Sequence, residues 1–185
     1  MACSSTLLAA RYRVRIIPSA QVTIEPQSSC LQGLEALPEE SLGPHLAHMT
    51  SIQRLGLGEN HIGDDGVKCL GPHIARLTSI QRLDLSTNRI GDDGVKSLGP
   101  HLAHLTSIQR LDLSYNGIGD DGARSLGPHL ALLTSIHQLD LCHNNIGDGG
   151  IESLGPHLAH LSSIQKLDLS FNRIGDAAWK GWRQC

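Results

Sequence analysis

From Ile80 onward the chain alternates: in Arg82-Leu83-Asp84-Leu85-Ser86 the leucines fall on one side and the polar residues on the other, the period-two pattern of a half-buried strand. Past Asn88 and Ile90 the period changes. Val95, Leu98, Leu102 and Leu105 recur at spacings of 3, 4 and 3, which puts them on one stripe of a helix. Asp92 and Asp93 precede that stripe, where acidic side chains suit the positive end of a helix. Gly99-Pro100 falls inside it, so the helix is expected to kink or to split into two short ones, because proline lacks an N–H and crowds the preceding turn.

The whole unit is then repeated. Asn60, Asn88, Asn116, Asn144 and Asn172 follow at a constant interval (88 − 60 = 28), and every other column keeps that register. Each Asn sits in a pattern such as Ile80-x-x-Leu83-x-Leu85-x-x-Asn88-x-Ile90, and on these residues the chain resembles the leucine-rich repeat family. The continuation Asn-x-Ile-Gly-Asp-x-Gly is similar to its ribonuclease-inhibitor-type subclass and to the repeat region of NOD-like receptors. The resemblance extends from about Leu34 to Trp182. It implies an α/β solenoid in a horseshoe arc, with parallel strands on the concave side and helices, kinked at Gly-Pro, on the convex side. It also implies that Asn60, Asn88, Asn116, Asn144 and Asn172 form a structural ladder bonding turn backbone of neighbouring units. No single unit can bury its leucines alone, so stability must come from repeats stacking on repeats.

The ends depart from the repeat. Residues 1–30 are expected to be a poorly ordered leader, although Arg11, Arg13 and Arg15 at every second position suit a strand better than an amphipathic targeting helix. Residues 31–49 read as an N-terminal capping half-repeat, since Gln32, Leu34, Leu42 and Pro44 match later columns. A shift of 28 places Gln27 and Ser29 in the columns of Leu55 and Leu57, a decayed strand. The repeats occupy 50–174. Residues 175–185 read as a truncated half-helix whose Trp179 and Trp182 close the core, or as the point where a longer array is cut.

Composition narrows function mostly by exclusion. Of 185 residues, 39% are hydrophobic and 18% charged, with a net charge of −3, and no apolar run reaches the length of a membrane-spanning helix. No Lys/Arg block provides a field for nucleic acid. Five cysteines, an odd number without CxxC spacing, suit free thiols in a reducing compartment, so a cytoplasmic location is expected. Neither a P-loop nor a GxSxG or HExxH motif occurs, and the acidic Gly-Asp-Asp-Gly turn is a repeated capping element rather than a single catalytic centre. The pair His101/His104 recurs as His45/His48 and His157/His160. It lacks the further ligands a metal needs, and suits a solvated convex face. No enzyme activity, cofactor or metal is expected.

Recognition is therefore sought in the columns flanking the buried leucines. Two hardly vary: Arg54, Arg82, Arg110, Gln138 and Lys166, and beside them Gly56, Asp84, Asp112, Asp140 and Asp168. These suit a solvated lattice of weak ion pairs. Two others vary in an array that is otherwise copied: Glu59, Thr87, Tyr115, His143 and Phe171 just before each Asn, and His61, Arg89, Gly117, Asn145 and Arg173 just after it. Aromatic side chains beside arginines are what interface hot spots favour. The residues expected to meet a partner are accordingly Arg82, Asp84, Arg89, Arg110, Asp112, Tyr115, Asp140, His143, Lys166, Asp168, Phe171 and Arg173. The expected function is a non-enzymatic module that grips a protein in its concave groove, similar to the sensor region of NOD-like receptors. The alternative is a GTPase-activating regulator similar to Ran GTPase-activating protein. Ribonuclease inhibition fits less well, because that family alternates two repeat types and is cysteine-rich and strongly acidic.

Overall fold

In the computed structural model, the backbone of residues 12–17 and 21–26 and the continuous run 51–176 are described. Strands β1 (Tyr12–Ile17) and β2 (Gln21–Pro26) are followed by β3 (Arg54–Gly56), after which helices and strands alternate. They are α1 (Gly63–Ile74), β4 (Arg82–Asp84), α2 (Asp92–Leu102), β5 (Arg110–Asp112), α3 (Asp120–Leu130), β6 (Gln138–Asp140), α4 (Asp148–Leu158) and β7 (Lys166–Asp168). The seven strands of the described residues lie in one sheet in chain order. β1 pairs antiparallel with β2, and every later pair is parallel, with Leu55, Leu83, Leu111, Leu139 and Leu167 side by side.

The alternating and helical stripes meet in a single core. Leu83, Leu85, Ile90, Val95, Leu98, Leu102, Leu105 and Ile108 are all within 1% of complete burial, and their counterparts in the next repeat behave alike. Parallel strands sit about 4.8 Å apart, whereas packed helices need about 8–10 Å. A stack with strands on one side and helices on the other must therefore curve with the sheet innermost, which makes the sheet side the concave face.

The turn after each strand is held by asparagine. Asn116 donates from Nδ2 to Leu85 O (3.0 Å), Leu113 O (3.1 Å) and Ser114 O (3.1 Å). Its Oδ1 accepts from the N–H groups of Asn88 (3.0 Å) and Ile90 (2.9 Å). One side chain thus bonds the backbone of two repeats, and Asn88, Asn144 and Asn172 make corresponding bonds. Such groups would be costly to bury without partners.

The acidic turn also works across repeats. Asp92, expected to serve its own helix, accepts at Oδ1 from Gly119 N (2.6 Å) and Gly122 N (3.0 Å), at the start of α3. Asp64 accepts from Gly91 N, Asp120 from Gly147 N and Asp148 from Gly175 N, each at 2.6 Å. The second glycine of the motif gives this carboxylate its room: a Cβ on Gly122 would stand 2.5 Å from Asp92 Oδ1.

Three expectations change. The helices do not divide at Gly-Pro: each runs on as one element, with the proline in its last turn. There the missing N–H removes one bond near the end, and Ala103 N still reaches Gly99 O at 3.2 Å. Within residues 1–30, expected to be a poorly ordered leader, β1 and β2 are paired strands, rich in the β-branched residues that favour extended backbone. Finally, the residue beside Leu55 is Val22, not Gln27, a separation of 55 − 22 = 33 instead of 28. The apolar strand that abuts the first repeat lies five residues upstream of the strict repeat register. The capping half-repeat of 31–49 and the tryptophans Trp179 and Trp182 lie outside the described residues.

Candidate protein-binding face

In β3, β4 and β5 the first residue is exposed, the second buried and the third half-buried. In the third-residue column one carboxylate oxygen is fixed locally: Asp84 Oδ1 accepts from Ser86 N (2.9 Å) and Oγ (2.7 Å), and Asp112 Oδ1 from Ser114 N (3.1 Å) and Oγ (2.7 Å). Asp168 makes the same pair of bonds to Ser170 at 3.1 and 2.6 Å. Those bonds, with Lys166 beside them, hold the Asp168 carboxyl below the usual carboxylate range. The other oxygen faces the basic column, with Lys166 Nζ 3.5 Å from Asp168 Oδ2 and Arg110 Nη2 3.9 Å from Asp112 Oδ2. These pairs are too exposed and too long to contribute much stability. Asp84, Asp112 and Asp168 are thus fixed mainly by the local serine bonds.

The fourth repeat keeps its aspartate, Asp140, but departs from the basic column and from the serine column. Gln138, half-buried, stands where its neighbours carry Arg110 and Lys166, and Cys142 stands where they carry Ser114 and Ser170. Cys142 N still donates to Asp140 Oδ1 at 3.1 Å. Burial pushes the Cys142 thiol up to about 12, helped by its hydrogen bond to Asp140 and by the charges of Asp140, Asp168 and Asp112. Asp140, Cys142 and Asp168 each bring one donor atom to within 4.8 Å of the others, a trio the sequence reading did not single out. A thiol held so strongly in its protonated form is a weak metal ligand, because the thiolate is the coordinating species. Cys142 was legible only as a departure from the serine column.

The column before each Asn is raised by the backbone. Glu59, Thr87, Tyr115, His143 and Phe171 all adopt left-handed conformations, with φ of 62°, 55°, 53°, 53° and 55°. Such angles are unfavourable for threonine and aromatic residues. They are held by bonds between repeats, Thr87 N to Ser114 O at 3.0 Å, Tyr115 N to Cys142 O at 2.9 Å and His143 N to Ser170 O at 3.0 Å. The last three side chains form a continuous stack: Tyr115 and His143 have ring centroids 4.0 Å apart and 13° from parallel, His143 and Phe171 4.1 Å and 11°. Tyr115 is 54% and Phe171 73% exposed, and with Leu132 they are the exposed large apolar side chains of the described residues. Arg89 and Arg173, in the column after the Asn, are exposed on the same edge. Arg82 stands on β4 with its Cα paired to Arg110.

On the helix side the histidines do not share one environment. His104 and His160 are exposed, but His101, His129 and His157 are half-buried against glycines of the preceding repeat. A Cβ on Gly99 or Gly127 would lie 2.5 Å from Cδ2 of His129 or His157. Burial lowers the pKa of His101 and His129 from 6.5, and for His101 the neighbouring His104 adds to it. The first histidine of each pair is therefore a packing residue rather than part of a solvated face. The glycine that precedes each proline is the signal that marked it.

The family model for Leucine Rich repeat matches residues 48–71, 76–99, 104–127, 133–155 and 160–178. No curated protein matches the chain. Among solved structures, an internalin C2 from Listeria monocytogenes is 30% identical with a TM-score of 0.46, over 74% of this chain and 59% of that one. An internalin F from the same organism is 20% identical with a TM-score of 0.29, over 74% and 53% respectively. The chain thus spans about three-fifths of the length of the first of these. No helix among the described residues is long and apolar enough to cross a membrane.

Proposed function

Because the chain belongs to the leucine-rich repeat family, we propose that it is a non-enzymatic module that holds a protein partner on its concave sheet face. Proteins of this family generally act through protein interactions. The observation that carries the proposal is the Tyr115–His143–Phe171 stack, with Tyr115 and Phe171 exposed at its ends, on strained backbone in a column that varies while the core columns are copied. Exposed aromatic side chains with arginines at their flank supply large contact area at low entropic cost. The proposed binding face comprises Arg82, Asp84, Arg110, Asp112, Asp140, Lys166 and Asp168 on the strands, with Tyr115, His143, Phe171, Arg89 and Arg173 along the adjoining edge. The odd set of cysteines supports work in the cytoplasm. The Asn-x-Ile-Gly-Asp-x-Gly text supports a sensing role of the NOD-like receptor kind.

The test is affinity capture from cell extract by the wild-type chain, by Tyr115→Ala/Phe171→Ala and by the helix-side control Lys96→Ala, with circular dichroism confirming equal folding. Loss of specific partners only in the aromatic variant is expected. Equal capture by all three chains would remove the concave edge as the binding surface.

A further inference from the structure

The basic column of the sheet face has one gap. Arg82, Arg110 and Lys166 each stand on the same strand as an aspartate, Asp84, Asp112 and Asp168, but on β6 the cation is replaced by Gln138 while Asp140 is retained. Lys166 and Arg110 lean toward their own aspartates at 3.5 and 3.9 Å. Asp140 Oδ1 is engaged by Cys142 N, and no cation of its own strand is available to Oδ2. The upward displacement of the Cys142 thiol has Asp140, Asp168 and Asp112 among its causes, so the gap lies in a negative field. Beside it, His143 of the same repeat forms the middle of the aromatic ridge, between Tyr115 and Phe171. Gln138 is uncharged, shorter than the arginine and lysine on either side and half-buried where they are exposed, so the basic column is interrupted beside Asp140.

We infer that the aromatic ridge docks a partner segment carrying an arginine side chain, whose guanidinium takes the place of the missing cation beside Gln138 and pairs with Asp140. This deepens the proposed function and rests on it: the partner supplies the cation that the array provides at every other aspartate-bearing strand. Arginine suits the site for three reasons. Its planar fork can donate to a carboxylate oxygen and an amide carbonyl together. Its aliphatic stem and delocalised charge pack well against aromatic rings. It is also desolvated more readily than the ammonium of lysine. A partner presenting a carboxylate at the same place would meet Asp112, Asp140 and Asp168 and be repelled.

Gln138→Arg tests the gap in the basic column with little risk to the fold, because it restores the residue found at Arg82 and Arg110. Asp140→Asn keeps the acceptor for Cys142 N. The probes are fluorescein-labelled peptides of one aromatic-flanked sequence with arginine, citrulline or glutamate at the centre, read by fluorescence anisotropy. The arginine peptide should bind the wild-type chain at least about tenfold more tightly than the citrulline or glutamate peptides, and more weakly as salt is added. Gln138→Arg and Asp140→Asn should each remove that preference. Equal binding of the three peptides overturns the inference. So does retention of the arginine preference in Gln138→Arg, or loss of binding on adding EDTA, which would assign Asp140, Cys142 and Asp168 to a cation. If protein capture depends on Tyr115 and Phe171 but not on Gln138 or Asp140, the arginine site fails while the interaction module stands. If capture depends on neither pair, both fail.

Discussion

Asn116 illustrates how much rests on single side chains in a copied unit. Its amide satisfies three carbonyls and two N–H groups drawn from two repeats. Asn116→Ala removes the acceptor for Asn88 N and Ile90 N at once, and each buried group left unpaired costs about 1–3 kcal/mol. A loss of about 2–4 kcal/mol, read from the urea midpoint, is expected; a change below about 0.5 kcal/mol would mean that water replaces the side chain without penalty. Gly94 is constrained differently. A Cβ there would meet Asp64 Oδ1 and stand 2.8 Å from Ile90 Cγ2. Gly94→Ala should cost about 1–3 kcal/mol, and part of that cost should vanish in an Asp64→Ala background, giving a non-additive double-mutant cycle. The asparagine column was legible because it recurs with a known signature. The cross-repeat destination of Asp64 and Asp92 was not, because periodicity identifies a helix start without saying which helix a carboxylate reaches.

At the scale of elements, strands and helices followed from the change of period from two to 3.6, and the apolar stripe of each unit is buried as its spacing implies. Of the kink or division expected at Gly-Pro, the division is excluded. The proline stands in the last turn, where one absent donor leaves the helix whole, and Pro100 is itself exposed. Pro100→Ala should restore a donor for the carbonyl of Lys96 and raise stability by about 1–2 kcal/mol, the helical gain exceeding the entropy that proline removes from the unfolded chain. An unchanged or lower urea midpoint would contradict that balance. The contacts between helices carry a pH dependence. His101 and His129 are half-buried against the preceding helix, and their folded pKa values lie below 6.5. The unfolded chain therefore takes up protons first, so this contribution is intact above 6.5 and is lost as pH falls from there through the lower folded value. His101→Gln/His129→Gln should flatten the fall of the urea midpoint across that window. An unaltered slope would assign the acid sensitivity to other groups, such as Asp168, whose contribution disappears at still lower pH.

The molecule as a whole is a one-dimensional stack in which each repeat is stabilised by its neighbours, so its terminal strands decide whether it remains a closed object. Among the described strands, β7 stands at one end and β1 at the other, with β2 covering the backbone of β3 through the pairing of Val22 with Leu55. Strict counting by 28 hid this arrangement, because the covering strand lies 33 residues before Leu55. A hairpin can adjust its register to a partner strand without obeying the spacing of the array. An uncovered β3 would present unpaired N–H and C=O groups, a template for joining another chain. Deleting residues 1–26 should therefore leave the strands β4 to β7 and their helices folded, while the first repeat loses protection from hydrogen exchange and the protein self-associates as concentration rises. Size-exclusion chromatography with light scattering and exchange mass spectrometry read both effects. Full protection of residues 54–56 together with a concentration-independent mass would show that β3 needs no covering strand, and the hairpin would then be an attachment to the array rather than its cap.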